Sequence, residues 1–295
     1  MTKRILLLFI VLSLLAFTSG CGILEELELL FNEETHQPSG MLEVHFIDVG
    51  QGDAIWIRTA QGENLLIDAG GNKQGDRVAA YLREQGVTEL KAVVGTHPHE
   101  DHIGGLDVVI DNFLVEKVYM PKVVHNTKTF EDVLDAIERK NLKISTAKAG
   151  VSLELNGIQA EFIAPVSDSY KELNNYSAVL RLQYGNQVFL FTGDAEKLSE
   201  EEMLSTYSKS KLRANLLKVG HHGSSTSTSE EWLDAVNPQI GVILCGKNNT
   251  YGHPHQETLK ALEDREIDIY RTDEMGTLVF YSDGGSIGVK EGGSQ

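Results

Sequence analysis

The chain has 295 residues, 41% of them hydrophobic, and carries 43 Asp and Glu against 26 Lys and Arg, a formal net charge of −17. This length and apolar share support a substantial folded core and exclude a disordered chain. So acidic a surface repels polyphosphate at long range, which excludes a protein that grips nucleic acid through surface charge but not one whose positive charge is concentrated in bound metal ions.

At the start of the chain, Lys3 and Arg4 precede "ILLLFIVLSLLAF", an apolar run shorter than the roughly 18 residues a spanning helix needs, and the small residues "TSGC" follow. Residues 1–20 therefore read as a secretion signal. Thr18-Ser19-Gly20-Cys21 resembles the lipobox of bacterial lipoproteins, with Thr18 where that motif usually has Leu. The resemblance implies cleavage before Cys21, lipid on that residue, and an extracytoplasmic chain anchored to the bacterial cytoplasmic membrane. Losing Lys3 and Arg4 with the signal would take the net charge to −19. Residues 21–40 are acidic, end in Gln-Pro-Ser-Gly and read as a tether that also carries His36. With Cys21 committed to lipid, Cys245 has no disulfide partner, and its place in "IGVILCG" suits a small buried hydrophobe.

One folded domain is expected over 41–290, with a tail over 291–295. It opens with the strand-like runs "LEVHFIDVG", "DAIWIRTA" and "ENLLIDAG", a helix-like "GDRVAAYLREQG", and "LKAVVGTH". In the second half "QAEFIAP", "SAVLRLQYG", "QVFLFTGD", "NLLKVGHHG", "IGVILCG", "IDIYRTD" and "GTLVFYSD" read as strands. Helices are expected near 129–140, 197–206, 229–237 and 255–265, the third opened by a capping box of Ser227 and Glu230. Strands punctuated by helices in each half indicate an α/β (α+β) fold in which two mixed sheets pack face to face with helices outside, an αββα sandwich. The hairpin-like "IWIRTAQGENLLI" argues against a doubly wound parallel sheet.

Ligand-type residues gather where strand-like runs end. Asp68 follows "NLLI", His97 follows "KAVVGT", Asp194 follows "VFLFTG", and His221 and His222 follow "NLLKVG". Strand ends along one edge of a sandwich converge on one cleft. In "THPHEDH", His97 and His99 can hold one ion while Asp101 and His102 hold another, and Asp194 can bridge them.

"THPHEDHIGG" matches the His-x-His-x-Asp-His motif of the metallo-β-lactamase fold superfamily. "HFIDVGQGDAIWI", "LLIDAGG", "NNYSAVLRLQYG", "FLFTGDAE", "LLKVGHHGSS" and "YGHPH" are similar, in the same order, to the C-terminal hydrolase domain of the ComEC competence proteins and their stand-alone relatives. The resemblance implies two divalent ions, zinc or manganese: His97 and His99 on the first, Asp101 and His102 on the second, Asp194 between them, and one of His221 and His222 completing the shell. It implies that Asp68 braces the metal loop by hydrogen bonding. The superfamily often has a further His before the bridging Asp, where this chain has Asn174, Asn175 and Ser177, so one ion is short of a strong ligand and its site is weak.

Adjacent His221 and His222 would point oppositely in a strand, which leaves one as a ligand, with His221 slightly favoured. His253 in "YGHPH" reads either as substrate clamp and proton donor or as an ordinary loop residue, the first being favoured, and Asn175 and Ser224 read as substrate contacts. "GSSTSTS" suits phosphate binding or an ordinary helix start. His255 opens a helix, His45 is structural and His125 stands without company. Asp48 and Asp53 flank a glycine turn whose chemistry explains them, and the resemblance implies that this turn borders the cleft, making Asp53 at most a peripheral site residue. Lys209, Lys211, Arg213 and Lys218 form a modest basic stretch that could guide a nucleic-acid strand but reads more simply as a solvated face.

The expected activity, with Asp101, Asp194 and His253 in catalytic roles, is hydrolysis of an anionic ester by metal-activated water. A phosphodiesterase or nuclease acting on DNA or nucleotides comes first, in line with the role in DNA uptake that the resemblance implies. A small-molecule esterase of the phosphorylcholine-esterase or lactonase type is the alternative, and a tethered non-catalytic binding protein a third reading. No obligate protein partner is inferred.

Overall fold

The computed structural model describes residues 40–290. The expected signal over 1–20, the lipidation at Cys21, His36, the tether as far as residue 39 and the tail over 291–295 lie outside the described residues. No helix among the described residues is long and apolar enough to cross a membrane.

Six strands come first: β1 (Leu42–Phe46), β2 (Ile55–Arg58), β3 (Asn64–Ile67), β4 (Glu89–Val94), β5 (Leu114–Met120) and β6 (Ile144–Thr146). Seven more follow: β7 (Ser152–Leu155), β8 (Ile158–Ala164), β9 (Val179–Tyr184), β10 (Gln187–Phe191), β11 (Leu216–Lys218), β12 (Ile240–Ile243) and β13 (Asp268–Arg271). The last two, β14 (Leu278–Ser282) and β15 (Ile287–Lys290), return to the first group, giving sheet orders β15-β14-β1-β2-β3-β4-β5-β6 and β13-β12-β11-β10-β9-β8-β7. Both sheets are mixed: β3 to β6 run parallel in one and β10 to β13 in the other. The expected hairpin over 55–67 is β2 and β3, Ile55 opposite Ile67, closed by a turn in which the Gly62 and Glu63 N–H groups return to Thr59.

Central strands are apolar on both faces because both faces are covered. In β3, Leu65 and Ile67 enter the core between the sheets and Leu66 the opposite one; in β10, Phe189 and Phe191 do the same against Val188 and Leu190. Helices α1 (Gly75–Glu84), α2 (Glu100–Ile103), α3 (Leu106–Asn112) and α4 (Lys128–Arg139) lie on the first sheet's side. There α1 buries Val78, Ala79 and Leu82, and α4 buries Phe130, Val133, Ala136 and Ile137, each at helical spacing. Against the second sheet α5 (Lys197–Thr206), α6 (Lys209–Leu212), α7 (Glu230–Val236) and α8 (Gln256–Glu263) contribute Met203, Leu212, Trp232, Leu233 and Leu262. The layers are thus helix, sheet, sheet, helix, and burying each large aliphatic or aromatic side chain among them contributes about 1.5–3 kcal/mol. Cys245 is a buried free thiol in the outer core of the second sheet.

The expected capping box does not form. Ser229, not Ser227, caps α7 by accepting from the Trp232 N–H. Thr228 takes a left-handed turn at φ 59°, and the carboxylate that would have come from Glu230 is supplied by buried Glu200 of α5, which accepts from the Thr228 and Ser229 N–H groups at 2.5 and 3.0 Å. A carboxylate from a distant helix is invisible to local spacing.

Candidate metal centre

Parallel pairing puts the C-terminal ends of β3 and β4 on one edge of the first sheet and those of β10 and β11 on one edge of the second. Asp68 leaves β3, the 97–102 loop leaves β4 and runs into α2, Asp194 leaves β10, and His221 and His222 leave β11. The 48–54 loop closes the floor: the Asp53 N–H donates to the Asp101 carbonyl at 3.1 Å. Gly52 makes that approach possible, because a Cβ at its φ of +137° would sit 2.3 Å from the Asp101 carbonyl oxygen.

Two overlapping groups of donors share His102: His97, His102 and Asp194, and Asp101, His102 and His222, the atoms of each within 4.8 Å of one another. His102 Nε2 lies 3.2 Å from Asp194 Oδ2, and His222 Nε2 lies 3.3 Å from Asp101 Oδ2 and 3.6 Å from Asp194 Oδ2. Tetrahedral ligands at about 2.0–2.1 Å from an ion stand about 3.3–3.4 Å apart, so these separations fit one ion's shell. Beside them His97 Nε2 lies 3.0 Å from His99 Nδ1 and 3.8 Å from Asp194 Oδ2, while His221 Nε2 lies 3.6 Å from the same Oδ2. Asp194 Oδ2 thus lies within 3.8 Å of His97, His102, His221 and His222.

Hydrogen bonds behind the rings aim their free nitrogens. Asp68 accepts from the Thr96 N–H at 2.8 Å, from the Thr96 hydroxyl at 2.6 Å and from His102 Nδ1 at 2.8 Å. His222 Nδ1 donates to the Leu244 carbonyl at 2.9 Å, and His97 Nδ1 lies 3.1 Å from Thr96 Oγ1, whose proton goes to Asp68. Each bond fixes a tautomer and turns Nε2 toward the cluster. His102 Nε2, His222 Nε2 and Asp194 Oδ1 are buried without a hydrogen-bond partner. Buried polar atoms of this kind are normally satisfied, and a divalent cation beside Asp194 Oδ2 would satisfy both ring nitrogens. The donor set and its orphaned atoms therefore fit a divalent metal.

Electrostatics point the same way. Burial pulls the His102 pKa down, but Asp194, Asp101 and Asp53 outweigh it and hold it well above its ordinary value. His222 is raised to about 9 against the same burial by Asp194, Asp101 and Asp53. Burial, together with the neighbouring His102 charge, keeps His97 well below its ordinary value. Asp194 is held well below the usual carboxylate range by His102 and His222, although burial opposes this. Without metal, protons on His102 and His222 balance the carboxylates, and metal must displace them.

Several residues stand where their local sequence did not suggest. His221 and His222 are not in a strand: β11 ends at Lys218, and both residues take left-handed backbone, φ 48° and 54°, so both rings reach Asp194 instead of pointing oppositely. Of the two, His222 is buried and oriented from behind by a carbonyl, whereas His221 is partly exposed and turns Nδ1 to Thr226 Oγ1 at 3.0 Å and to Glu196 at 3.5 Å. Lys218 lies on no solvated face: it is 0% exposed, 2.6 Å from Asp53 Oδ2, and donates to the Gly193 carbonyl at 2.8 Å. Asp53, expected at the periphery, is buried 3.3 Å from His222 Nδ1. Its neighbours in the turn explain its backbone but not its partner, which comes from the other sheet.

Asn175 does not face the cleft. The 3-10 turn Leu173–Tyr176 buries it, and its amide is taken by the Ser199 N–H and by Glu196, leaving Asn174 on the cleft wall. Ser224 is buried in its own turn, bonded to Thr226, and is not a lining residue. His253 does line the cleft, yet burial and neighbouring His222 and His221 push its pKa down to about 4, so it is neutral near pH 7 and unsuited to giving up a proton as an acid. His125 is less isolated than expected, its ring 6.4 Å from that of His99. The cleft of 340 Å³ is also lined by Gln51, Glu100 and Tyr251, which local reading passed over. Gln51 is held there by the Gly246 N–H at 3.1 Å, a partner 195 residues away.

The arrangement has known relatives. The chain is 34% identical to ComE operon protein 3 of Bacillus subtilis, a match covering 81% of this chain and 33% of that protein. It is 30% identical to competence protein ComA of Neisseria gonorrhoeae, over 82% of this chain and 33% of the relative. The chain thus spans about a third of the length of these relatives. The metallo-beta-lactamase fold protein YhfI of Bacillus subtilis superposes with a TM-score of 0.53 at 14% identity, over 82% of this chain and all of that one, which shows a shared fold. The family model described as Metallo-beta-lactamase superfamily matches residues 47–247, more than half of the sequence, and the chain belongs to that superfamily.

Proposed function

We propose that this protein is a metal-dependent phosphodiester hydrolase. The observation that carries the reading is the cluster of Asp101, His102, Asp194 and His222 donors at 3.2–3.6 Å spacing, with orphaned atoms, in an open cleft. In this reading Asp101, His102, His222 and Asp194 would hold one divalent ion, and His97, His99 and Asp194 would hold a second, with His221 Nε2 as its further donor. The second shell is the weaker one, since Asn174, Asn175 and Ser177 supply no imidazole. Divalent ions bound there would supply Lewis-acid polarisation of a phosphoryl oxygen and would lower the pKa of a water toward neutral pH. Zinc and manganese both suit mixed imidazole and carboxylate donors, with no thiolate to choose between them.

The chain's own residues set the conditions. Asp68 and the Leu244 carbonyl hold His102 and His222 in the donor tautomer. Lys218 keeps Asp53 ionised behind them. Because Glu100, Asp101 and Asp194 line the cleft, an anionic ester is repelled until cations are loaded, so metal binding precedes substrate binding. His253, neutral and at the rim, contacts substrate by hydrogen bonding. The relatives' names, one a competence protein, favour DNA as the diester, and the Cys21 lipobox favours action outside the cytoplasmic membrane. A cleft of 340 Å³ lies near the small end of ligand sites, about 300–1,000 Å³, which keeps a small phosphodiester as the second reading.

The test is hydrolysis of single-stranded DNA, double-stranded DNA and bis(p-nitrophenyl) phosphate with zinc or manganese. Cleavage abolished by chelator and by Asp194→Asn supports the proposal, and cleavage of the small diester alone moves it to the second reading. No hydrolysis of any of the three with either metal would overturn it.

A further inference from the structure

Tyr251 is a large aromatic residue left 65% exposed among the residues that line the cleft. Its ring lies within 22° of parallel to that of His253, centroids 5.6 Å apart, and His253 in turn lies within 30° of His222, centroids 6.2 Å apart. Three flat rings thus lead from solvent to a metal donor, at separations typical of offset stacking. The outermost ring has one face covered by His253 and is otherwise open.

The turn that carries it is braced. Asn249 Oδ1 accepts from the Tyr251 N–H at 3.1 Å and from the His253 N–H at 3.0 Å, while its amide donates to the Gly246 carbonyl at 2.9 Å and the His253 carbonyl at 2.6 Å. His255 Nε2 lies 3.2 Å from the Tyr251 carbonyl oxygen. Among the described residues the Tyr251 hydroxyl has no hydrogen-bond partner, and stacking on His253 still leaves the residue 65% exposed.

We infer that Tyr251, backed by His253, is the platform on which a nucleobase of a single-stranded substrate stacks, placing the neighbouring phosphodiester over the metal donors. This rests on the phosphodiester reading above. Stacking suits this chain physically. A net charge of −17 gives little electrostatic hold on a polyanion, whereas ring-on-ring contact needs no positive charge and tolerates any base. It also selects single strands and frayed ends, since bases inside a duplex already have both faces covered.

The experiment compares oligothymidylate with an oligomer of abasic tetrahydrofuran units of the same length, which keeps the phosphates and removes the bases. With zinc- or manganese-loaded protein the expected KM for oligothymidylate is lower by roughly ten-fold or more, the range of one aromatic–base stack. Tyr251→Ala should raise that KM to the abasic value with kcat little changed and leave the abasic KM as it was. Tyr251→Trp should keep the advantage. A second readout precedes turnover: 2-aminopurine in an oligomer rapidly mixed with zinc- or manganese-loaded protein should be quenched on binding by the unmutated chain and by Tyr251→Trp, but not by Tyr251→Ala. Equal KM rises on both oligomers, an unchanged oligothymidylate KM, or no quenching would overturn the inference. Quenching without hydrolysis would sink the hydrolase reading and leave the platform standing; hydrolysis of both oligomers without quenching would do the reverse.

Discussion

Lys218→Met removes the cation of a buried pair while keeping most of the side chain's volume. Lys218 is 0% and Asp53 1% exposed, and their charged atoms are 2.6 Å apart. Without the ammonium, Asp53 is a buried carboxylate whose remaining positive neighbours are His102 and His222 at 3.8 and 3.3 Å, a loss approaching about 3–5 kcal/mol, and Met fills the space of the stem so little of this is cavity. For a domain of this size each kcal/mol shifts Tm by roughly 2–4 °C, so the expected fall is on the order of 6–20 °C. The pH dependence carries its own sign. Burial alone would raise the Asp53 pKa, but Lys218, with His102 and His222, holds it at about 2. A depressed carboxylate contributes stability above its unfolded pKa, and that contribution is lost as pH falls toward about 2. In Lys218→Met burial dominates, the Asp53 carboxyl moves up, and the deficit should be smaller at pH 5 than at pH 8. Urea and thermal unfolding of metal-free protein at both pH values measure this without linkage to metal binding. Lys218→Met/Asp53→Leu should recover part of the loss, the remainder reflecting the contact of Asp53 with His222. A single variant within about 1 kcal/mol of the parent at both pH values, or a double variant no better than the single, would refute the reasoning.

His222→Ala should cost more than 100-fold in affinity for the tighter ion, beyond the roughly 10–100-fold typical of residues that only orient a ligand. His221→Ala should spare that ion and weaken the other; competition with a chromophoric chelator reads both, and equal losses would contradict the assignment. Metal uptake should release protons. His222, raised to about 9 in the metal-free protein, is protonated below that pH, so apparent affinity should drop as pH is lowered from 9 toward neutrality, and calorimetry in buffers of different ionisation enthalpy should count the protons. The same raised pKa contributes stability to the metal-free fold below the unfolded histidine pKa and loses it as pH rises through about 9.

The strands that carry the ligands were legible because each is a short apolar run ending in a polar residue, as at Ile67 and Asp68 or Phe191 and Asp194. The "THPHEDH" cluster was legible because its four donors lie within six residues. What escaped depended on distant partners or on backbone phase. Lys218 was grouped by sequence with Lys209, Lys211 and Arg213, although it ends the buried run Leu216–Lys218; a charge inside an apolar strand was the signal that it needed a counter-ion. That counter-ion, Asp53, was hidden because a glycine turn already explained it. The His pair was read with strand periodicity, but two consecutive left-handed residues give a different projection. Asn175, expected to touch substrate, turns inward and Asn174 lines the cleft because a 3-10 turn sets which side chain faces it.

Metal stoichiometry tests the two-ion site most directly. The protein and its His97→Ala/His99→Ala, His102→Ala/His222→Ala and Asp194→Asn variants would be equilibrated with zinc or manganese, freed of unbound ion and measured by mass spectrometry. The expected result is two ions per chain in the parent, one in each double variant, and weakened retention of both in Asp194→Asn. An unmutated chain that retains no divalent ion, or variants that hold as much as the parent, would contradict the site.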